Sequence, residues 1–180
     1  MENIAVFCGS SKGTDEIFEQ EARKLGETLA RNNMNVIYGG ASIGLMNAVA
    51  TAALENGGEV IGIIPNFLDN LEITKKECSQ IIYTETMHER KIKMFEICDG
   101  IIVLPGGFGT LDELFEALTL SQLKIMNIPI GILNTADFYT PLINMLDVME
   151  EKGFLRKKSR QKLIIGNTID DLLEKMTKLI

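Results

Sequence analysis

Short apolar runs alternate with amphipathic stretches along the whole chain. Continuous runs of Val and Ile predict buried strands, whereas apolar positions that recur every three or four residues predict helices. The predicted strands cover residues 4–8, 35–38, 59–64, 79–83, 100–104, 129–133 and, as a weaker pattern, 163–165. The predicted helices cover residues 15–33, 44–56, 87–98, 110–124, 138–152 and 168–179. Residues 66–79 have the least regular pattern.

The alternation of strands and helices indicates the fold class. The predicted strands lack the alternating polar positions of a sheet with one solvated face. Strands that are apolar throughout and separated by helices are typical of a parallel sheet covered on both faces. No repeat, low-complexity tract or linker divides the 180 residues. The sequence therefore predicts one α/β domain over residues 1–180, a doubly wound parallel sheet with helices on both faces.

Composition and charge exclude several classes of protein. No apolar run approaches the ~18 residues that span a bilayer, and the acidic start differs from a signal peptide, so we expect a cytoplasmic protein without a membrane partner. The formal net charge of −7 argues against a nucleic-acid partner. Three scattered cysteines and one histidine support neither a disulfide framework nor a metal site. The basic cluster at residues 156–162 is interpreted as a solvated connection.

Three glycine-rich segments follow predicted strands, at residues 9–13, 39–44 and 106–110. None has the spacing of a dinucleotide fingerprint or a Walker A loop. A single loop of this kind is interpreted as a tight turn that needs glycine. Three loops converging at the carboxyl edge of one sheet favour an anion site instead, because backbone N–H groups and helix N-termini would face a phosphate there.

Two alternatives stay open for Glu113. Residues Thr110, Leu111, Asp112 and Glu113 have the form of a capping box, in which Glu113 would reach back to the amide of the N-cap residue. An ionised carboxylate beside a phosphate-binding loop can also act as a base for water or stabilise a developing cation.

The helix at residues 87–98 carries a second group of candidates. For Arg90, Lys91 and Lys93 the simplest interpretation is a solvated basic face. His88 is interpreted as an exposed or hydrogen-bonding residue. Met87 fits either core packing or contact with a purine base, and spacing does not decide between them.

Two paired motifs resemble the Lonely Guy family of cytokinin-activating phosphoribohydrolases. Residues 105–113, Pro-Gly-Gly-Phe-Gly-Thr-Leu-Asp-Glu, match that family's PGGxGTxxE motif, and residues 87–91, Met-His-Glu-Arg-Lys, match its MxxRK motif. Residues 7–11 and 38–46 add to the resemblance, which extends from the first strand to about Phe154. Ala41 and Asn47 stand where relatives often have glycine, and Asn47 places a polar side chain near a helix start.

The resemblance implies a Rossmann-like fold, a homodimer, and cleavage of the N-glycosidic bond of AMP or an N6-substituted adenosine monophosphate, without a cofactor or metal. Arg90 and Glu113 fall on the family's catalytic positions: Glu113 would stabilise the ribosyl cation or activate water, and Arg90 would stabilise the departing purine or the phosphate. The glycine loops and the resemblance together predict these substrate-binding residues: Gly9, Ser10, Gly39, Gly40, Glu72, Met87, Lys91, Gly106, Gly107, Gly109, Thr110 and Thr119.

Two other functions compete with hydrolysis. A nucleotide- or cofactor-binding module without turnover, like the molybdenum-cofactor carriers, would explain the glycines but would not need Arg90 together with Glu113. A lysine decarboxylase dependent on pyridoxal phosphate is disfavoured, because 180 residues with the most suggestive lysine inside MxxRK give little support for a Schiff-base site.

Overall fold

A computed structural model describes residues 1–69 and 74–179 of the chain. Its strands form one sheet in which every neighbouring pair is parallel, in the order β4-β3-β2-β1-β5-β6-β7. The strands are β1 Asn3–Phe7, β2 Asn35–Tyr38, β3 Val60–Pro65, β4 Gln80–Thr84, β5 Gly100–Val103, β6 Ile130–Leu133 and β7 Leu163–Gly166.

Helices cover both faces of this sheet. Those of the described residues are α1 Glu16–Arg31, α2 Gly44–Glu55, α3 Asn66–Asp69, α4 Met87–Ile97, α5 Phe108–Gln122, α6 Thr140–Glu151, α7 Lys157–Arg160 and α8 Ile169–Thr177. The core on one face contains side chains of α1, α2 and α8, and the core on the other contains side chains of α4, α5 and α6. The predicted doubly wound parallel sheet is therefore confirmed.

Strand β1 is apolar throughout because its side chains are buried on both faces of the sheet. Ile4 and Val6 belong to the core beneath α1 and α2, whereas Ala5 and Phe7 belong to the core beneath α4 and α5. All four side chains are almost completely buried. Burial of a Val, Ile or Phe side chain contributes about 1.5–3 kcal/mol each, so a polar residue at any of these positions would weaken the sheet.

Helix α1 owes its position to three local features. The Asp15 side chain accepts a hydrogen bond from the Ile17 amide at 3.0 Å and so caps the first turn. Leu25 and Leu29 lie on the buried face of the helix. Gly26 lies where a Cβ would overlap the Val49 carbonyl of α2, so only glycine permits this close crossing of the two helices.

Several element boundaries differ from the sequence prediction. Helix α5 begins at Phe108 rather than at residue 110. The helix predicted at 138–152 is α6, which begins two residues later, at Thr140, and follows a 3₁₀ turn at Thr135–Asp137. Pro141 in the first turn of α6 fixes the later start, because proline is favoured where the N–H has no helical partner. Within residues 1–69 and 74–179, no helix combines the length and apolar character that crossing a bilayer requires.

The basic cluster at residues 156–162 is only partly the solvated connection that its charge suggested. It contains the short helix α7, and Arg160 donates from Nε to Oδ1 of Asp147 at 2.7 Å. Lys162 donates from Nζ to the Ser121 hydroxyl at 3.0 Å. The long aliphatic stems of Arg and Lys can pack along the protein surface while the charged group at the end forms an ion pair or a hydrogen bond.

The strand order places one crevice at the carboxyl edge. After β1 the chain adds β2, β3 and β4 on one side and then returns to place β5 on the other side of β1. Ligands of open parallel sheets bind where the strand order reverses in this way. The loops that follow β1, β2 and β5 are the three glycine-rich segments of the sequence.

Candidate active site

Backbone hydrogen bonds join the three glycine loops. The Gly9 amide donates to the Pro105 carbonyl at 3.0 Å, which links the loop after β1 to the loop after β5. The Leu45 amide donates to the Gly9 carbonyl at 3.0 Å, which links the start of α2 to the same loop. Gly44 has φ +60°, and a Cβ there would overlap the backbone of Ser10, so glycine is required for this approach.

A cleft of about 230 Å³ lies between these loops and helices α4 and α5. Nine of the predicted site residues line it: Gly9, Ser10, Gly39, Met87, Arg90, Gly107, Gly109, Thr110 and Glu113. The cleft is also lined by residues that were not predicted as site residues, although some lie in the quoted motifs: Val6, Phe7, Cys8, Met46, Met94, Phe108 and Asp112.

A buried ion pair joins α4 and α5 inside the cleft. Nη1 of Arg90 donates to Oε1 of Glu113 at 3.1 Å, and each side chain is 9% exposed. Nε of Arg90 donates to the Ile63 carbonyl at the end of β3, at 3.0 Å. The interpretation of Arg90 as part of a solvated face is wrong, because the helix turns this residue towards the sheet and its charge is satisfied there.

Burial dominates the ionisation of the groups around this pair. Desolvation raises the pKa of the Glu113 carboxyl above its usual range, although the positive charge of Arg90 opposes the shift. Burial also raises the pKa of the Cys8 thiol, and the negative charge of Glu113 adds to the effect. Cys8 is therefore a neutral thiol beside the pair.

The capping-box interpretation of Glu113 is wrong. The N-cap of α5 is Gly107, which makes no side-chain cap, so Thr110 lies within the first turn and Glu113 in the second. From the second turn Glu113 does not reach the N-cap amide, and its carboxylate bonds to Arg90 instead. Thr110 is buried against Gly106, where a Cβ would overlap the threonine hydroxyl.

The start of α5 differs from the starts of α1, α4 and α8 and, like that of α2, has no side-chain cap. Asp15, Thr86 and Thr168 cap α1, α4 and α8 with their side chains. Helix α5 has Gly107 at its N-cap and presents its first amides along the cleft without a side-chain acceptor. Such amides, at the positive end of the helix dipole, are suited to bind an anion.

Gly39 lies directly beneath the guanidinium group. A Cβ at this position would overlap Nη2 of Arg90 and lie 2.9 Å from the Met46 sulfur. The absence of a side chain at Gly39 therefore gives Arg90 its place beside Glu113.

Five predicted site residues lie outside the cleft lining or outside the described part of the chain. Nζ of Lys91 bonds to Asp112 and Glu116 on α5. The Gly40 carbonyl accepts a hydrogen bond from the Lys75 amide at 2.8 Å. Gly106 packs behind the loop against Thr110 and Gly9.

Thr119 lies two turns of α5 beyond Glu113. Its hydroxyl donates to the Phe115 carbonyl of its own helix at 2.7 Å. It lines a separate groove between α5 and α6, which also includes Leu146 and Met149. Glu72 lies outside the described residues.

Several residues at the cleft could have been found from the sequence. Cys8 directly follows the first strand, and Met46 lies two residues beyond the glycine that starts α2, so both occupy the ligand edge by position alone. Phe108 is 94% exposed at the first position of α5, on the rim of the cleft. His88 is exposed, as its interpretation stated.

The sequence of the chain is similar to those of several known proteins. A family model described as "Possible lysine decarboxylase" matches residues 46–176. A cytokinin riboside 5′-monophosphate phosphoribohydrolase of Arabidopsis thaliana is 40% identical over 173 residues, which cover 96% of this chain and 80% of that protein. A probable enzyme of the same name from Oryza sativa subsp. japonica is 39% identical, over 96% of this chain and 71% of that protein.

Solved structures share the fold at lower identity. The molybdenum cofactor binding protein of Rippkaea orientalis has a TM-score of 0.73 at 21% identity, covering 98% of this chain and 96% of that one. The Moco carrier protein of Chlamydomonas reinhardtii has a TM-score of 0.74 at 18% identity, covering 99% and 96%. These likenesses show the Rossmann-like fold alone.

Proposed function

The chain belongs to the family of cytokinin riboside 5′-monophosphate phosphoribohydrolases, and we propose that it hydrolyses the N-glycosidic bond of adenosine 5′-monophosphate or of its N6-substituted forms. The products are the free base and ribose 5-phosphate. We propose that residues 1–180 form a single hydrolase domain. One observation carries the proposal: the buried pair of Arg90 and Glu113 lies in the cleft that the uncapped start of α5 also lines.

The start of α5 suits the 5′-phosphate. The amides of Phe108, Gly109 and Thr110 are the first of the helix, and all three residues line the cleft. A phosphate held there would fix the nucleotide relative to Glu113, one turn further along the same helix. Holding the reacting groups in place in this way lowers the barrier by reducing the entropy lost in the transition state.

The chemistry at C1′ needs a negative charge near the ribose. As the bond between C1′ and the base breaks, its electron pair leaves with the base and the ribose becomes an oxocarbenium-like cation. In this proposal the Glu113 carboxylate stabilises that cation and accepts a proton from the attacking water, whose oxygen forms the new bond to C1′. The departing base takes up a proton from solvent to leave as the neutral purine, and Glu113 then returns its proton to solvent, so that one water is consumed for each bond broken.

Arg90 has a complementary role. A guanidinium group keeps its proton in proteins, so Arg90 does not serve as the proton donor to the base. Its positive charge favours the ionised form of Glu113 and offers hydrogen bonds to the phosphate or to the departing purine.

A decarboxylase that uses a lysine Schiff base fits this cleft poorly. The lysine of the second motif, Lys91, is paired with Asp112 and Glu116. Burial lowers the pKa of its ammonium group, but the hydrogen bonds to both carboxylates outweigh burial and raise it. A Schiff-base lysine needs the opposite shift, since only the neutral amine is a nucleophile.

We also propose a homodimer in a reducing, cytoplasmic compartment. Cys8, Cys78 and Cys98 are all unbridged thiols, which supports the compartment. Exposed apolar side chains collect on α5, on α6 and on the turns that follow them, which supports association through this surface. These side chains are Phe115, Leu123, Ile125, Met145, Val148 and Phe154.

A product assay tests the hydrolase proposal. The purified protein is incubated with AMP and, separately, with N6-isopentenyladenosine monophosphate, and free base is separated by chromatography. We expect release from at least one nucleotide. We expect Glu113→Gln to lose about 10²- to 10⁴-fold in kcat while retaining nucleotide affinity, because the amide keeps the size of the side chain but removes its charge.

The matched control is Glu96→Gln on the exposed side of α4. This variant makes the same chemical change away from the cleft and should keep full activity. Failure of the wild-type protein to release base from either nucleotide would overturn the proposal and favour a binding module. Full activity of Glu113→Gln would remove Glu113 from the mechanism.

A further inference from the structure

Lys91 follows Arg90 on α4 but faces a different direction. Consecutive residues of a helix are about 100° apart around its axis, so the two cations of the motif do not converge on one point. Nζ of Lys91 bonds to Oδ2 of Asp112 at 2.8 Å and forms a second ion pair with Glu116. The Lys91 side chain is 13% exposed, and it is absent from the cleft lining.

The contacts of Lys91 lie along the seam between α4 and α5. Asp112 and Glu116 are four residues apart, on one face of α5, so a single ammonium reaches both carboxylates. The neighbouring pair of Arg90 and Glu113 joins the same two helices. Two adjacent cations of α4 therefore bind three carboxylates of α5, of which Glu113 and Asp112 line the cleft and Glu116 does not.

The two groups of charges interact. Asp112 lines the cleft, and its negative charge raises the pKa of Glu113, whereas the positive charges of Arg90 and Lys91 lower it. Cys8, directly after β1, is a buried neutral thiol, and the negative charge of Glu113 adds to the effect of burial in raising the pKa of this thiol. Loss of Lys91 would remove the cation that Asp112 and Glu116 share. Their negative charges would then disfavour the ionised Glu113 that the proposed mechanism needs, and would repel the phosphate of the nucleotide.

We propose that Lys91 is a positioning residue, which fastens α4 to α5 and thereby sets the separation of Arg90 and Glu113, and which does not itself bind the nucleotide. This inference rests on the proposed function, because its kinetic test measures the hydrolysis of AMP. It departs from the role that the motif resemblance implies for Lys91, and the departure follows from the two carboxylates that already hold the ammonium group.

The test compares three variants by steady-state kinetics with AMP. Lys91→Met removes the charge and should lower kcat at least tenfold while changing KM less than threefold. It should also move the acid limb of kcat to higher pH, because the charge that favours the Glu113 carboxylate is lost. Lys91→Arg keeps the charge at the seam and should restore most of kcat.

The triple variant Lys91→Met, Asp112→Asn, Glu116→Gln distinguishes the two roles. Without the carboxylates the seam no longer needs a cation, so kcat should rise above that of Lys91→Met, and the acid limb should return towards its original pH. The double variant Asp112→Asn, Glu116→Gln, with Lys91 retained, is the matched control. A rise in KM of tenfold or more in Lys91→Met with kcat unchanged, without recovery in the triple variant, would overturn the proposal.

Direct binding separates this proposal from the proposed function. Calorimetry with AMP and each variant needs no turnover. We expect Lys91→Met to bind AMP within threefold of the wild-type Kd, even if the wild-type protein releases no base. A tenfold weaker Kd in Lys91→Met and in the triple variant alike would assign Lys91 to the nucleotide. If Lys91→Met does not fold, the triple variant, which lacks unpaired charge at the seam, supplies the same comparison.

Discussion

The glycines around the cleft fall into two groups that differ in what surrounds them. A Cβ at Gly39 would overlap the Arg90 guanidinium, and one at Gly106 would overlap Thr110. A Cβ at Gly107 or Gly109, by contrast, would have no atom of the described residues within 4 Å. The first group is packed against the protein, and the second faces the open cleft.

The difference separates two reasons for a glycine. The packing of the protein explains Gly39 and Gly106, because a larger residue would displace a neighbour. Protein packing does not explain Gly107 and Gly109, whose backbone angles are not left-handed. The proposed function would explain them by a substrate phosphate that approaches the backbone at the start of α5, so substitutions in the two groups should fail in different ways.

The largest effect is expected for Gly39→Ala. The new methyl group pushes the Arg90 guanidinium away from Glu113, and misplacement by about 1 Å can cost about 10²-fold in rate. Crowding of the buried site should lower the free energy of unfolding by about 1–3 kcal/mol. Steady-state kinetics with AMP and denaturant unfolding measure the two effects. Unchanged kcat in a folded Gly39→Ala protein would contradict the importance of this contact.

The pH dependence of kcat provides the second test. The proposed mechanism requires an ionised Glu113, and burial raises the pKa of this carboxyl, so activity should fall as the pH decreases through a value above the ordinary 4.5 of glutamate. In Gly39→Ala the acid limb should lie at still higher pH, because the displaced Arg90 no longer lowers the pKa as strongly. In Gly107→Ala it should not move. A carboxyl NMR titration of Glu113 avoids interference from the substrate phosphate, which titrates near about 6.

A smaller effect, confined to binding, is expected for Gly107→Ala. The methyl group enters the part of the cleft proposed for the phosphate, so KM for AMP should rise about tenfold, equivalent to about 1.4 kcal/mol. The free energy of unfolding should stay within about 0.5 kcal/mol of the wild type. Calorimetry with AMP measures the change in affinity, and thermal unfolding measures the change in stability. Loss of stability without loss of affinity would place Gly107 in the first group.

The smallest effect is expected for Gly109→Ala, which should increase stability while weakening the binding of AMP. Gly109 lies in the first turn of α5 with helical geometry, where alanine is favoured by about 0.5–1 kcal/mol. The variant should therefore unfold at a higher denaturant concentration while its KM for AMP rises a few-fold. A variant that is both more stable and equally active would show that the substrate does not approach this position.

Two segments with the same local pattern show how far the sequence predicts the site. Residues 86–89 and residues 110–113 both read Thr-x-x-Glu. In the first, the Thr86 hydroxyl accepts a hydrogen bond from the Glu89 amide at 3.1 Å and caps α4. In the second, Glu113 bonds to Arg90 from the neighbouring helix. The same pattern therefore forms a cap in one place and a buried ion pair in the other, and the tertiary contact with Arg90 separates them.

The fold and the location of the cleft follow from features that the sequence displays directly. Continuous Val and Ile runs indicate strands buried on both faces, and the glycine loops come after β1, β2 and β5. The partners of individual side chains do not follow, since Lys91 meets Asp112 and Glu116 only after α4 and α5 pack together. The same limit explains why Arg90 looked solvent-exposed in the helical pattern.

The strand order also has a consequence for folding kinetics. Among the described strands, β1 and β5 are the only sheet neighbours that are not consecutive along the chain, and their register joins Ile4 to Gly100. Contacts of such long sequence separation form slowly, because a large loop must close first. The Gly9 to Pro105 hydrogen bond extends this pairing into the cleft. During refolding, catalytic activity should therefore return after most helical structure has formed.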